Sequence, residues 1–173
     1  MHLDFNTLSM MKLRSSPGEA LDKVSKEGKA FIIERNGHQE ACLVPVWYFL
    51  PDIPKDRISN ELEILHQKGE KPSLRFSDNH ELEILFKECL MNYEITIRIV
   101  LPHGYPNNVP KIYASPIRKD APHLWHDGAL CIFGIMATWN PGKHNIGTVL
   151  DLSRKWLSKY SEWEKNEIWP VEG

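Results

Sequence analysis

The chain has 173 residues, a formal net charge of −2, 42% apolar and 25% charged side chains. That length fits one ordinary domain or a small unit joined to a medium one. The near-zero charge excludes nucleic-acid binding driven by overall basicity. No apolar run approaches the roughly 18 residues of a membrane span. The three cysteines, Cys42, Cys89 and Cys131, form no Cys-x-x-Cys pair, against both a disulfide framework and a cysteine-rich zinc module. Met1-His2-Leu3-Asp4-Phe5 lacks the basic start and apolar stretch of a secretory signal, so the expected compartment is the cytoplasm.

Residues 1–52 read as a small helix–β-hairpin module. Ser16-Pro17-Gly18-Glu19 predicts a helix start, with Ser16 as cap, Pro17 at the first position and Glu19 closing a capping box. Ala20, Leu21 and Val24 give an apolar face, and Gly28 is the expected stop. Two β-like runs follow, Ala30–Glu34 and Ala41–Val46. Asn36-Gly37 lies between them, a hairpin signal because both positions tolerate positive φ. Pro51-Asp52-Ile53-Pro54 reads as a linker, since two prolines so close interrupt any helix.

Residues 53–173 read as an α+β domain. Ile58, Leu62 and Leu65 fall at helical spacing before Gly69. Strands are expected over Ser73–Phe76, Glu81–Leu90, Tyr93–Leu101 and Lys111–Ser115, separated by turns at Asp78-Asn79 and Asn92. Ile146, Val149, Leu150, Ser153, Trp156, Leu157 and Tyr160 mark a helix with one apolar-aromatic face. The tail from Trp163 to Trp169-Pro170 is expected to dock on that helix.

Cys131 sits in Pro122-His123-Leu124-Trp125-His126-Asp127-Gly128-Ala129-Leu130-Cys131, with Trp139-Asn140-Pro141 shortly after. A thiol beside histidines suits a nucleophile, a metal ligand or a buried core cysteine. His123, His126, Cys131 and His144 are acceptable zinc donors, but their spacing matches no common zinc module and no metal is assigned. Cys42 and Cys89 lie in apolar strand runs and are expected in the core, and the lysines at 155, 159 and 165 read as a solvated helix face, with automodification of any of them as the alternative.

The order of elements resembles the ubiquitin-conjugating-enzyme fold: helix, four-stranded antiparallel meander, proline-rich turn, cysteine loop, helix. Leu101-Pro102-His103-Gly104-Tyr105-Pro106-Asn107-Asn108-Val109-Pro110-Lys111-Ile112 resembles that family's FPxxYPxxPPxV segment. Asp127-Gly128-Ala129-Leu130-Cys131-Ile132 resembles the run that ends in its catalytic cysteine, and Trp139-Asn140-Pro141 its following W-S-P. Arg57–Leu62 is similar to its opening helix. The resemblance implies an acyl transferase that carries a ubiquitin-like protein as a thioester on Cys131 and passes it to an amine or other nucleophile. An activating-enzyme homologue would load it, and no small-molecule cofactor acts at this step.

The eukaryotic family places His-Pro-Asn before its cysteine. Here the region reads His123-Leu124-Trp125, the spacing is shorter, and only one long helix follows. These departures resemble the family's bacterial relatives, which occur in conflict or defence operons. With the asparagine missing, the candidate oxyanion donors are His123, His126, Asn140 or a backbone N–H, a histidine being preferred. Asp127 is the nearest carboxylate for acid–base work, although Asp-Gly is also a common turn.

Residues 1–52 resemble a Phd/YefM-type antitoxin, through Leu13-Arg14-Ser15-Ser16 opening a helix and the Arg35-Asn36-Gly37 hairpin. That resemblance implies a homodimer and DNA binding. Residues 1–55 carry seven Lys/Arg and seven Asp/Glu, so little counterion release is on offer and DNA is weakly supported. Dimerisation or docking survives the charge argument better. Two rival functions fit the same sequence: a non-catalytic module that only holds a ubiquitin-like partner, and a DNA-binding antitoxin or autorepressor.

Overall fold

A computed structural model describes residues 5–49, 53–79, 81–133 and 138–170. Pro51 and Asp52 of the expected linker lie outside them. The chain divides into two compact units, Met1–Lys71 and Pro72–Gly173.

The first unit runs β1 (Phe5–Ser9), α1 (Met10–Ser15), α2 (Pro17–Ser25), β2 (Ala30–Arg35), β3 (His38–Leu43) and α3 (Lys55–Gln67). Asn36 and Gly37 hold φ of 52° and 79°, the left-handed pair that a tight β2–β3 hairpin requires. The sequence pattern did not predict β1 and α1. β1 pairs parallel with β2, and parallel pairing needs a crossover, which α1 and α2 supply. The sheet order is β1-β2-β3. Val24, Phe31 and Ile33 form a small core against Leu8, Met10, Leu13 and Leu43. α3 buries Ile58, Leu62 and Leu65 at the expected spacing.

Ser16 opens α2 and Pro17 takes its first position, but the expected capping box is absent. The Ser16 N–H is spent on the Lys12 carbonyl that closes α1. Glu19 is drawn instead to Lys23 at 2.7 Å, one turn along, and to Lys12 at 3.4 Å.

The second unit holds the expected four-stranded meander and closing helix, while α3, expected with them in a domain over 53–173, falls in the first unit. β4 (Ser73–Phe76), β5 (Leu82–Leu90), β6 (Tyr93–Leu101) and β7 (Lys111–Ser115) pair antiparallel in sequence order, and α4 (Ile146–Asn166) packs on β6. Strand period two puts Leu82, Ile84 and Phe86 of β5, with Ile95, Ile97 and Ile99 of β6, on the buried face. α4 adds Ile146, Val149, Leu150, Trp156, Leu157 and Tyr160 to the buried set. The Tyr160 hydroxyl accepts from the Arg118 N–H at 3.0 Å and donates to Glu164 at 2.9 Å, tying α4 to the segment after β7.

Both outlying cysteines depart from expectation. Cys42 and Cys89 are exposed rather than core. Cys89 falls on the odd positions of β5, opposite the buried face, and β3 around Cys42 is exposed along nearly its whole length. Trp163, expected in the tail, lies inside α4, while Trp169 docks on the helix as expected, 5.3 Å from Trp156 between ring centroids. No helix among the described residues is long and apolar enough to cross a membrane.

Candidate active site

The segment around Cys131 is a small hairpin whose geometry follows from its tip. Asp127-Gly128 makes the turn, Gly128 holding φ of 80°, a conformation a side chain would strain. The Gly128 N–H donates to the Trp125 carbonyl at 2.8 Å, and the Asp127 carboxylate accepts from the Ala129 N–H at 3.1 Å. Behind the tip, the Trp125 N–H donates to the Ala129 carbonyl, Leu124 bridges Leu130, and the Cys131 N–H donates to the His123 carbonyl at 2.9 Å. Pairing 125 with 129 and 124 with 130 therefore brings 123 opposite 131. The Leu130 N–H anchors the hairpin to β7 through the Ile112 carbonyl at 2.7 Å.

This register sorts the candidate residues. His123 and Cys131 stand side by side at the base and line one cavity of about 320 Å³. Cys131 is half-buried and His123 exposed. The His123 carbonyl also accepts from the Trp156 indole N–H at 3.2 Å, and the His123 ring lies tilted against Trp169, 4.9 Å between centroids. His126 and Asp127 sit at the tip, in a groove of about 880 Å³ across the outer face of the sheet and in a smaller cavity beside Phe133. Cys131 lines neither. The Asp127 carboxylate is paired with Lys111 at 2.7 Å. That bond foremost, then the Ala129 N–H, holds its carboxyl below the usual range.

Asn140 is engaged in a turn. Its side-chain oxygen accepts from the Gly142 N–H at 2.9 Å, and its own N–H donates to His144 Nδ1 at 3.0 Å. His144 packs among Phe133 and Trp139. Trp139 is half-buried and its indole N–H donates to the Pro106 carbonyl at 2.7 Å, so this ring braces the turn after β6. Among the described residues no group of three His, Cys, Asp or Glu side chains is placed to hold a metal ion.

The other walls of the thiol cavity come from Ile132, from the tail residues Trp169 and Pro170, and from Leu152, Lys155, Trp156 and Lys159 of α4. The solvated face expected of the two lysines holds for Lys155, which is exposed, while Lys159 is half-buried. Their spacing held the signal: 152, 155, 156 and 159 follow the i, i+3, i+4, i+7 rule and share one side of a helix.

A four-stranded meander, a cysteine-bearing hairpin and a long following helix together define an E2-like protein of the ubiquitin-conjugating class. The family model described as type II CBASS E2 protein matches residues 68–173. The chain belongs to this family of bacterial E2-like proteins, whose role is ubiquitin-like conjugation in antiphage signalling. Among solved structures it is similar to a complex of the Vps23 UEV with ubiquitin, at 15% identity and a TM-score of 0.43, over 61% of this chain and 84% of that one. No curated protein matches the chain.

Proposed function

We propose that this protein is a conjugating enzyme that carries a ubiquitin-like protein as a thioester on Cys131 and passes it to an amine or other nucleophile. The observation that carries this reading is the half-buried Cys131, opening into a cavity beside His123 within the family-matched segment. Thioester exchange conserves the activation energy of the carried carboxyl, which is why a thiol suits the carrier role. The partners are the ubiquitin-like protein and an activating-enzyme homologue, with ATP consumed upstream. His123 is the preferred oxyanion donor, because it alone of the candidate histidines at 123, 126 and 144 lines the thiol's cavity. Residues 1–52 serve as a dimerising or recruiting module.

The test is adduct formation with the ubiquitin-like protein and activating enzyme of the same operon. A thiol-sensitive adduct forms with the native chain and vanishes in Cys131→Ala. Cys131→Ser traps an ester that resists thiols and yields to hydroxide. An adduct of equal yield in Cys131→Ala would overturn the assignment.

A further inference from the structure

We infer that Trp169, in the tail after α4, is a positioning residue for acyl transfer: its ring holds the His123 imidazole in the cavity that His123 shares with the Cys131 thiol. This assignment rests on the thioester reading above, with His123 as oxyanion donor, and adds what keeps that donor aimed.

The backbone of His123 is pinned. Its φ of 58° is left-handed, an uncommon conformation for any residue but glycine. Its carbonyl is held twice, by the Cys131 N–H at 2.9 Å and by the Trp156 indole N–H at 3.2 Å. The side chain has no such hold. It is exposed, and among the described residues its imidazole has no hydrogen-bond partner. Its ring contact there is Trp169, 4.9 Å between centroids and tilted by 37°. An imidazole free to turn samples three χ1 wells and two orientations about χ2, and a large ring packed against it removes the wells that ring fills.

Trp169 is itself anchored. Glu167 caps α4 with φ of 58°, and its N–H donates to the Trp163 carbonyl at 2.6 Å. The Ile168 N–H then donates to the Asn166 side-chain oxygen at 3.0 Å. This reversal returns the chain along α4, so that Trp169 rests half-buried on Trp156, 5.3 Å between centroids. Trp156 thus serves twice: its N–H holds the His123 backbone, and its ring carries the residue that holds the side chain.

The step served is thioester exchange. The Cys131 thiolate attacks the carbonyl carbon, a C–S bond forms, and an electron pair moves onto the carbonyl oxygen. An imidazole N–H aimed at that oxygen stabilises it. The pair returns, the old C–S bond breaks, and the donor sulfur leaves as thiolate. A ring spread over three χ1 wells and two χ2 orientations is in place about one-sixth of the time, so Trp169→Ala slows exchange about sixfold. Loss of the donor itself in His123→Ala slows it about a hundredfold.

The experiment uses the full chain with Cys42→Ser and Cys89→Ser, which leaves Cys131 as the one thiol of the three. The probe is the biotinyl-glycylglycine thioester of mercaptoethanesulfonate, which loads thiols by exchange without a protein partner, and intact mass gives the loading rate. Trp169→Ala is measured alone and with His123→Ala, a double-mutant cycle. The expected result is slowing by Trp169→Ala where His123 is present, no further slowing in His123→Ala, and recovery of most of the rate in Trp169→Phe, which keeps a ring against His123. Trp169→Leu replaces Trp169→Ala in the cycle if circular dichroism shows the alanine variant unfolded. Equal slowing with and without His123 makes Trp169 a cavity wall only and overturns the positioning role, as does a full rate in Trp169→Ala or no recovery in Trp169→Phe; the carrier reading then stands. An undiminished rate in His123→Ala removes the donor and the positioning role together, again leaving the carrier. Failure of Cys131 to load where free cysteine loads in the same buffer overturns the carrier reading as well.

Discussion

Glu83 is 2% exposed although it stands on the outer face of the sheet, because two arginines close over it. Arg75 donates to one carboxylate oxygen at 2.5 Å and Arg98 to the other at 2.6 Å, while Arg98 also lies 4.2 Å over the Tyr113 ring. Burial pushes the Glu83 carboxyl up, but the two hydrogen bonds and the two positive charges together outweigh it and hold the carboxyl below its usual value. A carboxyl depressed in the folded state adds stability above its unfolded value, about 4.3. That contribution is lost as pH falls through the lower folded value. Glu83→Gln keeps the shape and removes the charge. It is expected to cost about 1–2 kcal/mol at pH 7, discounted because both arginines are partly solvated. In urea unfolding, the gap between native chain and variant should narrow from pH 7 to pH 3; a gap of constant size would mean that the ion pairs are not its source. Cys131 stands out in the sequence because its neighbours carry a motif, whereas the apolar runs around Cys42 and Cys89 do not tell which face of a strand each takes.

At the scale of elements, α4 matters most to the site, since one helix supplies both core and cavity wall. Its start is secured by a capping box. The Asn145 side chain accepts from the Thr148 N–H at 2.9 Å, and the Thr148 hydroxyl accepts from the Asn145 N–H at 3.4 Å. Asn145→Ala should cost about 1 kcal/mol, as loss of a cap does. The urea midpoint should fall with an unchanged slope, since no additional surface is exposed on unfolding. A changed slope would instead indicate rearrangement beyond the cap. Elements with strong period were legible: the four meander strands, α3, α4 and the Asn36-Gly37 turn all lie where alternation or helical spacing put them. β1 escaped because Leu8 is its one half-buried position and its pairing partner, β2, lies across two helices. Such a strand is specified by tertiary pairing, which a local pattern does not carry. The Cys131 hairpin was half legible. Its Asp-Gly turn was visible, but the register behind that turn, which separates His126 and Asp127 from the thiol and joins His123 to it, follows only from the pairing.

Over the whole molecule, the chemistry and the N-terminal module occupy different stretches of chain. Every residue lining the Cys131 cavity falls between 123 and 170, inside the Pro72–Gly173 unit. The module's sheet, ordered β1-β2-β3, leaves β1 and β3 as edges, and β3 is exposed from His38 to Cys42. An exposed edge offers unpaired backbone donors and acceptors to another strand, which favours self-association. Balanced charge over residues 1–55 gives it little electrostatic hold on DNA. A chain beginning at Ile53 should therefore still form the Cys131 thioester, while light scattering shows a dimer for the full chain and a monomer for the truncated one. Circular dichroism checks that the truncated chain is folded. A folded truncation that cannot form the thioester would make the first 52 residues part of the catalytic unit. An unchanged dimer after truncation would move the association surface to residues 53–173. Steep loss of DNA binding with added salt in the full chain alone would turn the module's role toward nucleic acid.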